Sequence, residues 1–254
     1  MSKLKFSVCI EMLFNDLDIL DRPAAVAQSG MPAFEFWGWK GKDVEAIKAK
    51  ADEAGVTLAV FCVVADGALV NPEQTDVWVA GAKESIDLAK KVGVKTLITT
   101  VGQEIEGLPR ETQHASIVKG LKAIAPYAEQ QGITIVVEPL NILVNHKGYY
   151  LETSDEGFAI VEEVGSPNIK LLFDIYHQQI SEGNLIDRIT ANIANIGHFH
   201  VADVPGRHEP GTGEINYKNV FAKIAELGYE GYVGLEFTTT TTAAEAMGKV
   251  NSLV

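Results

Sequence analysis

Gly132-Ile-Thr-Ile-Val-Val-Glu138 sets a helix-stopping glycine, a β-branched run and a terminal acid within seven residues. Such a short apolar run has the length and branching of a buried strand. A short β-branched or aromatic run ending in a residue able to bind a divalent metal recurs downstream, where Ile169-Lys-Leu-Leu-Phe ends in Asp174, Ile196-Gly-His-Phe in His200 and Tyr232-Val-Gly-Leu in Glu236. The four end residues stand 36, 26 and 36 positions apart, close to one strand-plus-helix unit each time. If the runs are neighbouring parallel strands, all four side chains arrive at the same end of one sheet.

Working outward, strand-like runs also occupy Lys5–Ile10, Ala33–Trp37, Thr57–Val63 and Thr96–Thr100, which makes eight in all. Helical periodicity fills the gaps, for example over Val79–Val92, Ala115–Gln131, Glu156–Val164, Ile186–Ile193 and Val220–Leu227. Gly55 and Gly132 are among the glycines that end a helix and lead into the next strand. Ser154 opens one helix, and Pro-Arg-Glu-Thr at 109–112 introduces another. Eight βα units predict a closed (β/α)8 TIM barrel, an α/β fold, with residues 1–254 as one domain. An open doubly wound sheet is the alternative. It usually carries a Gly-rich phosphate loop after its first strand, where this chain reads Cys-Ile-Glu-Met-Leu-Phe at 9–14. The polar run Thr238–Thr242 is expected to be the loop and first turn of the last helix.

Bulk properties narrow the partners. The chain has 254 residues and is 46% hydrophobic, enough for a large core. Its net charge of −13 argues against nucleic acid, and Lys40–Lys50 is interleaved with acids rather than forming a basic patch. No apolar run is long enough to span a bilayer, and the start MSKLKFSVCI lacks the pattern of a signal peptide. Cys9 and Cys62 sit inside apolar runs and read as buried free thiols of a cytoplasmic protein.

In a barrel of this kind, function gathers at the C-terminal ends of the strands. Glu138, Asp174, His200 and Glu236 would end strands five to eight. Three carboxylates and an imidazole suit Mg2+ or Mn2+, with Co2+ or Zn2+ able to compete. A capping or salt-bridged acid would explain any one of them alone, but not four at unit spacing. A metal that holds both oxygens of an α-hydroxycarbonyl compound acidifies the C–H between them and stabilises the enediolate. Glu138 and Glu236 are the candidates for taking and returning that proton. His177, three residues after Asp174, and Arg207, in the loop after His200, are candidate substrate-binding residues. Residues 206–214, Gly-Arg-His-Glu-Pro-Gly-Thr-Gly-Glu, are too rich in Gly and Pro for a helix and read as a shaped active-site loop.

Other residues have weaker claims. His146, His208 and Lys147 are rim candidates, and Trp37, Trp39 and Phe61 either wall a pocket or pack in the core. Side-chain alternation is taken to turn His198 away from His200 towards the helix layer, so it is left out of the site. Glu35 lies inside the second strand and needs a buried partner that the sequence does not identify.

Val-Glu-Pro-Leu-Asn (137–141), Phe-Asp-Ile-Tyr-His-Gln (173–178) and the motif from His200 to Tyr217 resemble hydroxypyruvate isomerases, members of the xylose isomerase-like barrel superfamily. The likeness spans essentially the whole chain and includes Met12-Leu13-Phe14. It implies a metal held by Glu138, Asp174, the residue at 200 and Glu236, with the two glutamates as proton donor and acceptor. The hydroxypyruvate isomerases often carry Gln at the position of His200, whereas ketose 3-epimerases of the same superfamily carry His there. Those epimerases also use a His and an Arg matching His177 and Arg207 to hold the ketose. The expected substrate is therefore a small hydroxy-oxo acid, with a free ketose as the alternative. Homo-oligomerisation is left open. A non-catalytic metabolite-binding barrel is a further alternative. A metal-dependent endonuclease would need extra His ligands, which strand ends Phe61-Cys62 and Thr99-Thr100 do not supply.

Overall fold

Eight strands run parallel and close on themselves in sequence order. They are β1 (Lys5–Cys9), β2 (Ala33–Gly38), β3 (Thr57–Cys62), β4 (Thr96–Thr99), β5 (Thr134–Val137), β6 (Ile169–Asp174), β7 (Ile196–Val201) and β8 (Tyr232–Leu235). The helices are α1 (Arg22–Gln28), α2 (Val44–Ala54), α3 (Thr75–Val92), α4 (Arg110–Gln131), α5 (Ser154–Val164), α6 (Ile175–Ser181), α7 (Leu185–Asn192), α8 (Tyr217–Glu226) and α9 (Ala243–Ser252). This computed structural model describes residues 4–254. The first three residues of the start read against a signal peptide lie outside the described residues. Among the described residues no helix is long and apolar enough to cross a membrane.

The expected closed (β/α)8 barrel is the observed fold, with β8 paired to β1 through Lys5–Tyr232, Phe6–Val233, Ser7–Gly234 and Val8–Leu235. Strands buried on both faces need no polar alternation, which is why the runs read as continuously apolar. One face packs on helices; on α3, Trp78, Ala82, Ile86 and Ala89 recur every three or four residues and are buried. The other face fills the barrel interior with Ala33, Val60, Ile98, Val136 and Leu172. Val136 and Leu172 stand two residues before Glu138 and Asp174, and side chains two apart on a strand share a face. The interior packing and the site residues therefore lie on one continuous inward surface.

All five helices named from periodicity begin before the periodic stretch, and α7 and α8 end one residue sooner than it. Pro109 is the N-cap of α4, which begins at Arg110 rather than Ala115. The N-cap of α5 is Thr153, whose side chain accepts from the Glu156 N–H, so Ser154 is the first helical residue. Gly55 and Gly132 take φ of 71° and 67° and close α2 and α4. Thr242 caps α9 in a capping box with Glu245, so residues 238–242 are loop and the helix starts one residue later. Cys9 is buried and free; Cys62, at the end of β3, is free but only partly buried.

Candidate active site

Glu138, Asp174, His200 and Glu236 each offer one ligand atom within 4.8 Å of the others, and all four residues are buried. They sit at the C-terminal ends of β5 to β8, as the spacing requires. Asp174 has two roles, one for each oxygen. Its Oδ1 accepts from the Tyr176 and His177 N–H groups at 2.8 and 3.2 Å and starts α6, while Oδ2 lies 3.5 Å from His177 Nε2. Burial, partly offset by Arg207 and His200, raises its pKa.

The same short helix delivers His177. Its Nδ1 accepts from the backbone N–H of Asn141 at 3.2 Å, so the ring proton belongs on Nε2. That atom is buried and lacks a hydrogen-bond partner. Burial lowers the His177 pKa to about 3, with Arg207 adding to the effect against the pull of Glu138 and Glu236. His177 is thus a neutral donor at the edge of the acid cluster. His146 packs against it with ring centroids 5.1 Å apart.

Arg207 comes from the 206–214 loop, which is irregular as expected. Asp203 holds the loop by accepting from the Val204, Gly211, Thr212 and Ile215 N–H groups. Glu209 ties the loop to the segment after β8 through Thr240 and Lys249. Arg207 itself has φ of 58°, a left-handed conformation that costs a non-glycine residue on the order of 1 kcal/mol or more. The loop positions its guanidinium over Tyr176 at 5.3 Å and in an ion pair with Glu236 Oε2. His208 turns to the Thr238 carbonyl, and Lys147 is exposed at the rim.

Electrostatics across the cluster are strongly paired. Burial alone would raise the Glu236 pKa. His200, Arg207 and a Trp37 hydrogen bond outweigh it and hold the carboxyl well below the usual range. Burial would likewise lower His200, but Glu236, Glu35 and Glu138 push it well above the ordinary imidazole value. His200 Nδ1 lies 3.3 Å from Glu138 and 3.5 Å from Glu236, yet neither ring nitrogen has an aligned hydrogen bond. A buried nitrogen without an aligned partner, facing three carboxylates, is a donor set that fits a divalent cation.

One reading of the sequence needs correction. His198 does not face the helices. It is two residues before His200, so alternation puts both on the inward face, and its Nε2 lies 3.1 Å from Glu35 Oε2. Glu35 therefore has its partners: His198, His200 Nε2 at 2.8 Å and the Ser7 hydroxyl at 2.5 Å. The three aromatics also separate. Trp37 reaches the site through Glu236, Trp39 donates to Ser85 of α3, and Phe61 stacks on Phe36 in the core. The sequence offers Trp37 only as a pocket-wall or core residue, and its hydrogen bond to Glu236 has no local pattern. Its place at the C-terminal end of β2 was the available signal.

Three carboxylates and an imidazole meeting at the C-terminal mouth of a closed (β/α)8 barrel define a barrel enzyme. The chain belongs to the xylose isomerase-like TIM barrel family, whose profile matches residues 23–252. A 2-oxo-tetronate isomerase of Cupriavidus necator is 32% identical, with 96% of each chain covered. A hydroxypyruvate isomerase of Escherichia coli is 31% identical over 94% of this chain and 95% of its own. With such relatives over its length, the chain is an isomerase. Among solved structures, one described as an AP endonuclease, family 2, from Brucella melitensis superposes with a TM-score of 0.93 at 25% identity, covering 98% of this chain and 99% of that one. The D-psicose 3-epimerase of Clostridium cellulolyticum H10 superposes at 0.81 and 22% identity, covering 97% and 90%, and shows the shared fold.

Proposed function

We propose that this isomerase is metal-dependent and interconverts hydroxypyruvate and tartronate semialdehyde, or a 2-oxo acid pair one carbon longer. The observation that carries the reading is the convergence of Glu138, Asp174, His200 and Glu236 within 4.8 Å, with Arg207 beside them. These four residues would hold Mg2+ or Mn2+. When bound, the cation supplies Lewis acidity to neighbouring carbonyl and hydroxyl oxygens, which makes the C–H between them easier to deprotonate.

The protein's own groups account for the rest. Arg207 offers a planar cationic fork to the substrate carboxylate. His177 Nε2–H donates to a substrate oxygen and stays neutral, so it stabilises developing negative charge without competing for the proton. One of Glu138 and Glu236 takes the proton from C3, the hydroxyl-bearing carbon. The other gives a proton to C2, and the hydroxyl proton passes between the two oxygens. Carbon oxidation states exchange with no external oxidant.

The 31–32% identity to a hydroxypyruvate isomerase and a 2-oxo-tetronate isomerase supports an acid substrate. A second reading, ketose 3-epimerisation, draws on His200 and on the barrel shared with the psicose epimerase. In that case the proton returns to the same carbon from the opposite face. Mn2+-loaded protein should be incubated with hydroxypyruvate, 2-oxo-tetronate and ketohexoses, with and without chelator. Chelator-sensitive turnover of an acid is the expected result. Turnover of ketohexoses alone would overturn the acid reading, and full activity in chelator would overturn metal dependence.

A further inference from the structure

Glu35 has no part in the proton transfers above, yet it is a buried carboxylate at the centre of a polar group in the barrel interior. Its two oxygens are used differently. Oε2 is held from below by the Ser7 hydroxyl at 2.5 Å and by His198 Nε2 at 3.1 Å. Oε1 faces His200 Nε2 at 2.8 Å, a close charge pair rather than an in-line hydrogen bond. Because β1, β2 and β7 each supply a member, the carboxylate is fixed by three strands.

We infer that Glu35 is a positioning residue: it keeps His200 Nε2 turned to the barrel floor, so that Nδ1 is the nitrogen presented to Glu138, Asp174 and Glu236. This rests on the metal-centre reading of the site. A carboxylate behind a ligand histidine selects the ring tautomer and makes the exposed nitrogen a better donor. The distances agree with that division, since Nδ1 lies 3.3 and 3.5 Å from Glu138 and Glu236.

Glu35, His198 and His200 also have the residue types of a second metal group. The spacing argues against it. Ligands around a tetrahedral ion with bonds of about 2.0–2.1 Å sit roughly 3.3 Å apart. The Glu35–His pairs are closer, at 2.8 and 3.1 Å, and Ser7 already binds Oε2. The layer also leaves room for the carboxylate. A Cβ at Gly234 of β8 would lie 2.5 Å from Glu35 Oε1 and 2.6 Å from His200 Cδ2. Only glycine at this position leaves both side chains where they are.

The test is a calorimetric Mn2+ titration of wild type, Glu35→Ala, Glu35→Gln and Leu172→Ala, with thermal melts of each. Leu172 lies in the barrel interior and serves as the packing control. Glu35→Ala should bind Mn2+ about 10–100-fold more weakly, Glu35→Gln should fall between it and wild type, and Leu172→Ala should lower the melting temperature without weakening Mn2+ binding. If Glu35→Ala fails to fold, Glu35→Gln, which keeps volume and one acceptor, carries the comparison. In Mg2+-loaded wild type, 15N NMR should place the His200 proton on Nε2. Wild-type affinity in the folded Glu35 variants, equal loss in Leu172→Ala, or the proton on Nδ1 would each overturn the inference. A wild-type protein that takes up no Mn2+ sinks the metal-centre reading itself, and the inference with it.

Discussion

The indole Nε1 of Trp37 donates a 2.8 Å hydrogen bond to Oε1 of Glu236, although 199 positions separate the two residues in the chain. Trp37 is in turn held by its backbone N–H, which donates to Glu11 at 2.8 Å, and Glu11 pairs with Lys42 at 2.8 Å. The loops after β1 and β2 thus brace a residue at the end of β8. With Arg207 on Oε2, both oxygens of Glu236 are engaged.

Trp37→Phe keeps the ring and removes the donor. A hydrogen bond to a charged group contributes about 1.5–3 kcal/mol. Catalytic efficiency should fall roughly 10–100-fold in steady-state kinetics. Unchanged kinetics would show that the indole N–H has no part in setting Glu236.

Replacing either glutamate by its amide separates proton transfer from architecture. Glu138→Gln and Glu236→Gln retain volume but cannot take up a proton, and general acid–base catalysis contributes about 10²–10⁴-fold. Turnover should drop by that order in each variant while the fold persists, as circular dichroism would show. Near-normal turnover in either one would remove that residue from the proton relay.

Arg207 separates the two substrate classes. Arg207→Lys keeps the charge but loses the planar fork that matches a carboxylate. For a 2-oxo acid, KM should rise about 10–100-fold, corresponding to roughly 1.5–3 kcal/mol for the lost charged hydrogen bond. A ketose has no carboxylate to lose. Equal KM changes for acid and ketose would mean that Arg207 reads something other than the acid group.

The barrel was legible because most strands carry their signal locally: a short apolar run, often β-branched and after a glycine, of a length that cannot be a helix. The ligand set was legible because the βα repeat converts spacing into position. Contacts that cross the barrel carried no such signal. Glu35 and His198 are 163 residues apart, and neither has a local pattern that points to the other. Only closure, with β1 paired to β8 and β7 next to it, brings Ser7, Glu35, His198 and Gly234 into one layer. The misplacement of His198 has a plainer cause. A strand repeats every two residues, so the parity of His200 already put His198 on the inward side.

Glu209 gives the loop that carries Arg207 a pH-dependent anchor. Burial would raise its pKa, but the Thr240 N–H and hydroxyl, together with Lys249, hold it at about 2. A carboxyl lowered on folding contributes stability above its ordinary pKa of about 4.3, and that contribution disappears as pH falls through the folded value. Lys249 is half-exposed, so its share is screened by solvent and the net contribution is about 1–2 kcal/mol. Glu209→Gln should therefore melt lower than wild type at pH 7. The gap should narrow as pH drops from about 4.5 towards 2, because wild type loses what the variant never had. Thermal melts of both proteins across that range measure it directly. A gap that stays constant with pH would assign the loss to packing rather than to the charge of Glu209.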